Sequence, residues 1–267
     1  MSSVRPPAVA GTFYPGEPGA LRDAVDRLLG EVQGDGEAEP PRALIAPHAG
    51  YAYSGPVAAS AFRLVTGAPF TRVVVIGPSH HVAFRGIAAP GADAFRTPLG
   101  EVPVDHAALA GLPAAILADE PHRREHALEV ELPFLQRALG EGFALVPLVV
   151  GDSTGEEVAA ALEPFADDPA TLVVISSDLS HFLDYGAAVR RDRATAAAIE
   201  TFDGGRLGPR DACGYLPLRG WLAVARRRGL PVERLDFRNS GDTAGDRRRV
   251  VGYGAWAFGR GDEVAAR

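Results

Sequence analysis

The sequence predicts an α/β fold: a single domain in which a largely parallel central sheet carries helices on both faces. Four short apolar segments show no polar alternation, which is typical of strands covered on both sides. Helical segments separate them, and strands that alternate with helices favour a parallel sheet. The 267-residue chain shows no internal repeat and no long linker. We therefore expect one domain spanning residues 1–267.

The elements follow one another regularly along the chain. In order, we expect a helix at about 20–32, a strand at 42–47, a helix at 55–67, a strand at 72–78, a helix at 125–140, a strand at 143–151, a helix at 154–166, a strand at 171–178 and a helix at 185–202. The polar segment 30–42 is expected to be an exposed loop.

The C-terminal region breaks this alternation. Two more apolar segments, at 231–242 and 248–259, have no helix between them. They are expected to pair antiparallel at an edge of the sheet. Gly252 and Gly254 weaken the second strand and suggest a bulge or a close backbone approach.

The charge and cysteine content limit the functional class. A net charge of −7 and a pI near 5.5 argue against a nucleic-acid-binding protein, and the runs Arg226–Arg228 and Arg247–Arg249 are interpreted as solvated faces. One cysteine excludes an intramolecular disulfide and fits a reducing compartment. The N-terminus lacks the apolar region of a signal peptide, and no apolar run approaches the ~18 residues of a membrane span. We expect a cytoplasmic protein without a membrane segment.

Three of the predicted strands end in polar segments that contain histidine. In open α/β sheets, ligands bind beyond the carboxyl ends of the strands. Because these ends meet at one edge, we expect the three segments to build a shared site. They are "APHAGYAYSG" with His48, "GPSHH" with His80 and His81, and "SSDLSHF" with Asp178 and His181.

Two further segments are candidates for the same site. In "REHALEVELPFL", His126 and Glu129 are spaced to share one helical face, and Glu125 would sit in the first helical turn. A capping or surface role for His126 remains equally open. Cys213 precedes an apolar helix, where a thiolate would be favoured. The alternative is that Cys213 is a small buried apolar residue.

Imidazole and thiolate donors suit iron, copper or zinc rather than magnesium or calcium. Two histidines with a carboxylate form the facial triad of non-heme iron(II) enzymes, whereas two histidines with a cysteine suit catalytic zinc. The residues alone leave both open. The sequence contains no phosphate-binding GxxxxGK[ST] loop, no GxGxxG and no GxSxG motif. A triad of Ser177, Asp178 and His181 is disfavoured because these residues lie too close in sequence.

Six motifs in fixed order give the chain a specific resemblance. They are "AVAGTFYP", "APHAGYAYSG", "VIGPSHH", "EHALEVELPFL", "SSDLSHF" and "ACGYLP". Together they resemble the Memo family, also described as AmmeMemoRadiSam system protein B. The fold of that family is similar to that of class III extradiol dioxygenases, which open catechol rings with non-heme iron.

The resemblance implies roles for particular residues. It implies that His48, His80 and Cys213 are metal ligands, with iron(II) the first expectation and copper or zinc the alternatives. It implies that Asp178 and His181 line the same pocket as catalytic residues. Three further pocket residues are expected: His81, His126 and Tyr51.

The function expected from these residues and this resemblance is metal-dependent redox or oxygenase-like chemistry on an unknown substrate. One alternative is a non-catalytic module that binds a peptide or a partner in the same pocket. A second alternative is a zinc-dependent hydrolase with Asp178 or His181 as general base. The resemblance also implies two partners, an AMMECR1-like protein and a radical SAM protein. Neither nucleic acid nor a membrane is expected as a partner.

Overall fold

A computed structural model of the chain describes residues 3–33, 39–112 and 115–260. Within these ranges the strands are β1 (Val4–Arg5), β2 (Ala43–Ala46), β3 (Arg72–Pro78), β4 (Ile87–Ala89), β5 (Ala94–Thr97), β6 (Gly100–Pro103), β7 (Ala115–Leu117), β8 (Ala144–Val150), β9 (Thr171–Ser176), β10 (His181–Leu183), β11 (Val232–Asn239) and β12 (Val250–Phe258). The helices are α1 (Pro18–Glu31), α2 (Tyr51–Phe62), α3 (His106–Ala110), α4 (Glu120–Arg123), α5 (Leu132–Leu139), α6 (Gly155–Leu162), α7 (Tyr185–Glu200), α8 (Tyr215–Arg227) and α9 (Ser240–Thr243).

Most strands form one mixed, largely parallel sheet. Its order is β10–β12–β2–β9–β3–β8–β4–β7, with β11 paired to β12. The central strands β2, β9, β3 and β8 are mutually parallel. Every residue of β2 and β9 is buried, and so is every residue of β3 and β8 after the first. This confirms the α/β fold and explains why these strands lack polar alternation. The boundaries of the predicted domain, 1–267, include terminal residues outside the described ranges and remain a prediction.

The two C-terminal strands pair antiparallel, as predicted. The prediction that both lie at an edge was wrong for β12, because its residues Trp256–Phe258 also pair with β2. The glycines of β12 mark close approaches: a Cβ on Gly252 would lie 2.1 Å from Oδ2 of Asp192, and one on Gly254 would lie 2.3 Å from the Trp256 ring. The register shift between β11 and β12 lies between Arg234 and Asp236, opposite Trp256 and Ala255 and next to Gly254.

The predicted helix at 125–140 is shorter than expected. Residues 125–128 are non-helical, Glu129–Glu131 form a single 3₁₀ turn, and α5 follows. The predictions that Glu125 sits in a helical turn and that His126 shares a helical face with Glu129 were therefore wrong. Glu129 turns into the core and forms an ion pair with Arg5.

A second, three-stranded sheet of β1, β5 and β6 was not predicted, and neither were the short strands β4, β7 and β10. These strands have two to four residues each, which is too short for a recognisable alternation pattern. No helix in the described ranges is long and apolar enough to cross a membrane.

The parallel strands β2, β3 and β9 place their carboxyl ends at the same edge of the sheet. His48, His80 and Asp178 follow these three ends by two residues each. The fold thus brings the histidine-containing segments together by topology alone.

Candidate metal centre

Three potential metal donors meet at this edge of the sheet. His48 follows β2, His80 follows β3, and Cys213 lies two residues before α8. One donor atom from each residue lies within 4.8 Å of the other two. Nε2 of His48 is 3.3 Å from Sγ of Cys213. These atoms are close enough to share one metal ion after small side-chain adjustments.

His48 is fixed by contacts on its inner side. Its backbone N–H donates to Oδ1 of Asp178 at 2.9 Å, and its Nδ1 lies 2.7 Å from Oγ of Ser176. Burial lowers the pKa of this imidazole well below its usual value, and the neighbouring His80 adds to the effect. The ring is therefore neutral, which is the form that binds metals.

His80 is fixed by Glu125. Oε1 of Glu125 lies 2.7 Å from Nδ1 of His80, and Oε2 accepts the His80 backbone N–H at 2.6 Å. Burial lowers the pKa of His80, but the hydrogen bond and charge of Glu125 outweigh it, so the pKa is raised. Burial likewise raises the pKa of Glu125, but the donors around it outweigh that effect and bring it to about 2. Glu125 is thus a carboxylate that orients the imidazole, as ligand-supporting carboxylates do.

His126 lies against His80. Their ring centroids are 4.5 Å apart with an interplanar angle of 24°. The His126 backbone N–H donates to Oε1 of Glu125 at 2.9 Å. Burial lowers the pKa of His126 to about 4. Donor atoms of His80, Glu125 and His126 form a second close group, in which Nδ1 of His80 and Oε1 of Glu125 lie 2.7 Å apart.

Cys213 is held by the segment that follows β9. Its Sγ accepts the backbone N–H of Asp178 at 3.3 Å. Burial raises the pKa of the thiol, and the nearby Asp178 carboxyl adds to the rise. Burial therefore opposes the thiolate expected at this helix start. The helix begins two residues later, and the Gly214 N–H donates to Oγ of Ser177 at 2.9 Å.

Asp178 and His181 lie beside the three donors. Asp178 is 4% exposed, and burial raises its pKa despite the opposing charge of His181. Oδ2 of Asp178 is 4.0 Å from Nε2 of His181, too far for a direct hydrogen bond. Nδ1 of His181 is 2.8 Å from the Leu179 carbonyl oxygen and donates to it. Nε2 of His181 is therefore the nitrogen left for a proton or a ligand.

The other two expected pocket residues, His81 and Tyr51, are not among the residues that line the cavity beside the donors. His81 is exposed, with its ring centroid 6.0 Å from that of His126. Tyr51 is buried in the core, and its hydroxyl donates to the Val130 carbonyl at 2.8 Å.

A cavity of about 470 Å³ opens onto the donors. Its lining residues are His80, His181, Leu183, Arg191, Pro209, Arg210 and Cys213. Arg191 forms an ion pair with Asp211 at 2.9 Å. The charged residues of the lining are thus two arginines.

The sequence did not predict which residues form hydrogen bonds with the two candidate histidine ligands. Glu125 was assigned to a helix turn, Ser176 was given no role, and Glu131 was given little weight. The signal for Glu125 was its place directly before His126, in a segment already suspected of belonging to the site. Nothing in the sequence indicated that Ser176 and Glu131, 45 residues apart, lie 2.8 Å from each other.

Comparisons with known proteins agree on one family. The family described as "Memo-like protein" matches residues 5–257. A MEMO1 family protein of Methanopyrus kandleri is 34% identical over 282 residues, covering 96% of this chain and 99% of the relative. A MEMO1 family protein of Thermotoga maritima is 36% identical over 271 residues, covering 93% of this chain and 97% of the relative.

Proposed function

This chain belongs to the Memo family, and we propose that His48, His80 and Cys213 hold one metal ion for redox chemistry of the oxygenase kind. The observation that carries the proposal is the arrangement of the two imidazoles. Nδ1 of His48 faces Ser176 and Nδ1 of His80 faces Glu125. Both rings therefore turn their Nε2 atoms toward the position shared with Cys213.

The donor set fits iron(II), copper or zinc. Two imidazoles and one thiolate are softer than two imidazoles and a carboxylate, so copper and zinc compete more strongly with iron here than in a facial triad. We propose iron(II) as the bound metal, because a site with three protein ligands leaves coordination positions open for a substrate and dioxygen. A bound iron would supply electron transfer to dioxygen.

Asp178 and His181 are proposed to move protons beside the three donors, and of the two His181 lines the cavity. The Asp178 carboxyl accepts the backbone N–H of His48, so it also holds the loop after β2 in place. His181 is exposed on the cavity side, with 35% of its side chain accessible. It is therefore the residue proposed to exchange protons with a substrate, and the Asp178 carboxyl lies 4.0 Å from its Nε2.

A second candidate function is a binding module for a peptide or a partner protein. Phe182 favours it, because this side chain is 62% exposed at the edge of the site and its backbone has a φ of 60°. Residues with a strained backbone cluster at ligand-binding sites, where the surrounding structure maintains the strain. An AMMECR1-like protein and a radical SAM protein are the proposed partners. A reducing compartment, the cytoplasm, is part of the proposal because a ligand cysteine must remain unoxidised.

Metal loading of anaerobically prepared protein tests the proposal. The metal-free protein is titrated separately with iron(II), copper(I), zinc and cobalt(II), and bound metal is counted per chain. Cobalt(II) should give a thiolate-to-metal charge-transfer absorption that Cys213→Ser abolishes. His106→Ala is the matched control, because this histidine is exposed and lies outside the donor group.

The outcomes separate the candidate functions. One iron per chain and consumption of dioxygen support the redox proposal. Preferential, stoichiometric zinc without dioxygen consumption overturns it and favours a hydrolase. Failure of every metal to bind also overturns it and leaves the binding module.

A further inference from the structure

A buried carboxyl group lies behind the candidate metal centre. The Glu131 side chain is completely buried, and Oε1 lies 2.8 Å from Oγ of Ser176. Its other oxygen, Oε2, is buried with no hydrogen-bond partner among the described residues. No basic side chain in those ranges forms an ion pair with it. An ionised carboxylate in such surroundings would be very costly, whereas the neutral acid needs only one acceptor.

The Ser176 hydroxyl has three polar neighbours. Besides Glu131, its Oγ lies 2.7 Å from the Ala127 carbonyl oxygen and 2.7 Å from Nδ1 of His48. A hydroxyl has one hydrogen to donate and two lone pairs that accept. The Ala127 carbonyl can only accept, so it takes the Ser176 hydrogen. The remaining two neighbours must then donate to Ser176.

We propose that Glu131 is a neutral carboxylic acid that donates to Ser176, and that Ser176 in turn holds the proton of His48 on Nδ1. This arrangement leaves the lone pair of His48 on Nε2, 3.3 Å from Sγ of Cys213. Ser176 and Glu131 are then positioning residues for the metal ligand His48. The inference deepens the proposed function and rests on it where metal binding is concerned.

Burial is the physical cause of the neutral acid. It raises the pKa of Glu131 well above its usual value, and the hydrogen bond with Ser176 opposes this rise only in part.

The proton positions can be measured without metal. Nitrogen-15 spectra of the metal-free protein at neutral pH should show the His48 proton on Nδ1. Infrared difference spectra between the native protein and Glu131→Gln should show the carbonyl band of a protonated acid. A proton on Nε2 of His48, or the absence of that band, would overturn the inference. Both results stand whether or not a metal binds.

The positioning role is tested by metal affinity. Ser176→Ala should lower affinity by about 10- to 100-fold, as expected when a group that supports a ligand is lost. Ser60→Ala is the matched control, because that hydroxyl contacts the Pro56 carbonyl and Asp236, which lie outside the donor group. Equal affinities in the two variants would refute the role of Ser176. If the native protein binds no metal, the proposed function fails, while the spectra still decide the proton pattern.

Discussion

The Glu125 carboxylate accepts two hydrogen bonds from His80, one from Nδ1 at 2.7 Å and one from the backbone N–H at 2.6 Å. The same carboxylate accepts the backbone N–H groups of His126 and Ala127, both at 2.9 Å. One side chain therefore fixes the orientation of a candidate ligand and the path of the neighbouring segment. This relationship makes Glu125 a sensitive position for both metal affinity and local order.

We expect Glu125→Gln to weaken metal binding by about 10- to 100-fold, because the amide lacks the charge that supports His80. Competition with a chelator at neutral pH measures the change. The control is Glu120→Gln, whose exposed carboxylate pairs with Arg123 at 2.7 Å. Indistinguishable affinities for these two variants would show that Glu125 does not support a metal ligand.

Cys213 should be a protonated thiol in the metal-free protein, because burial raises its pKa. Alkylation should then be slow at neutral pH and accelerate as the pH rises, since only the thiolate reacts. Metal binding should release more protons from the native protein than from Cys213→Ser, as an indicator dye can measure. Rapid alkylation that is independent of pH would contradict the protonated state.

The Arg5–Glu129 ion pair should be one of the most costly contacts to break. Its side chains are 5% and 0% exposed, and the Glu129 carboxylate also accepts the backbone N–H groups of Ala8 and Val9. Arg5→Met should lower the free energy of unfolding by about 3 kcal/mol, because a buried charge loses its partner. Urea unfolding measures this loss.

Arg27→Met is the control for that change. Its pair with Glu31 is exposed on one helix face, with 65% and 57% of the two side chains accessible. We expect a loss of about 0.5 kcal/mol or less. A similar loss in both variants would mean that the buried pair contributes no more than a surface pair.

His122 should make the metal-free protein sensitive to acid. Burial lowers its pKa from 6.5 to about 4, and Nε2 donates to the Ala88 carbonyl at 3.0 Å. Between pH 6.5 and 4 the unfolded chain binds a proton that the folded protein does not, so stability falls as the pH falls. At pH 5 the loss from this group is about 2 kcal/mol relative to pH 7.

His122→Gln should remove that part of the pH dependence, since its amide can still donate to Ala88 but does not titrate. Urea unfolding at several pH values, with a chelator present, gives the two profiles. The exposed His106 provides the control variant His106→Gln. Parallel profiles for native protein and His122→Gln would show that His122 is not the group responsible.

Gly252→Ala should be destabilising by about 1–3 kcal/mol, since its Cβ would lie 2.1 Å from Oδ2 of Asp192. Asp192 also accepts the Ser180 backbone N–H at 3.0 Å, so the segment that carries Asp178 and His181 should shift. Gly30→Ala is the control, because no atom lies within 4 Å of its added Cβ. Equal stability of the two variants would refute the steric conflict.

The sequence was sufficient to predict the central strands because their burial on both faces leaves an unbroken apolar pattern. It was also sufficient to place His48, His80 and Asp178 at one edge, since parallel strands end together. It did not predict that residues 125–128 leave the helix, because the hydrogen bonds to Glu125 that stabilise this segment involve His80, 45 residues away. The thiol state of Cys213 depends on its three-dimensional burial, which local sequence does not encode.

The pairing of β12 with β2 has a consequence for synthesis of the protein. Ile45 near the start of the chain pairs with Trp256 near its end. At about 5–20 residues per second, the ribosome needs on the order of tens of seconds to make the intervening chain. During that time the backbone N–H and C=O groups on that side of β2 have no permanent partner. Nascent chains should therefore need chaperone protection until β12 emerges.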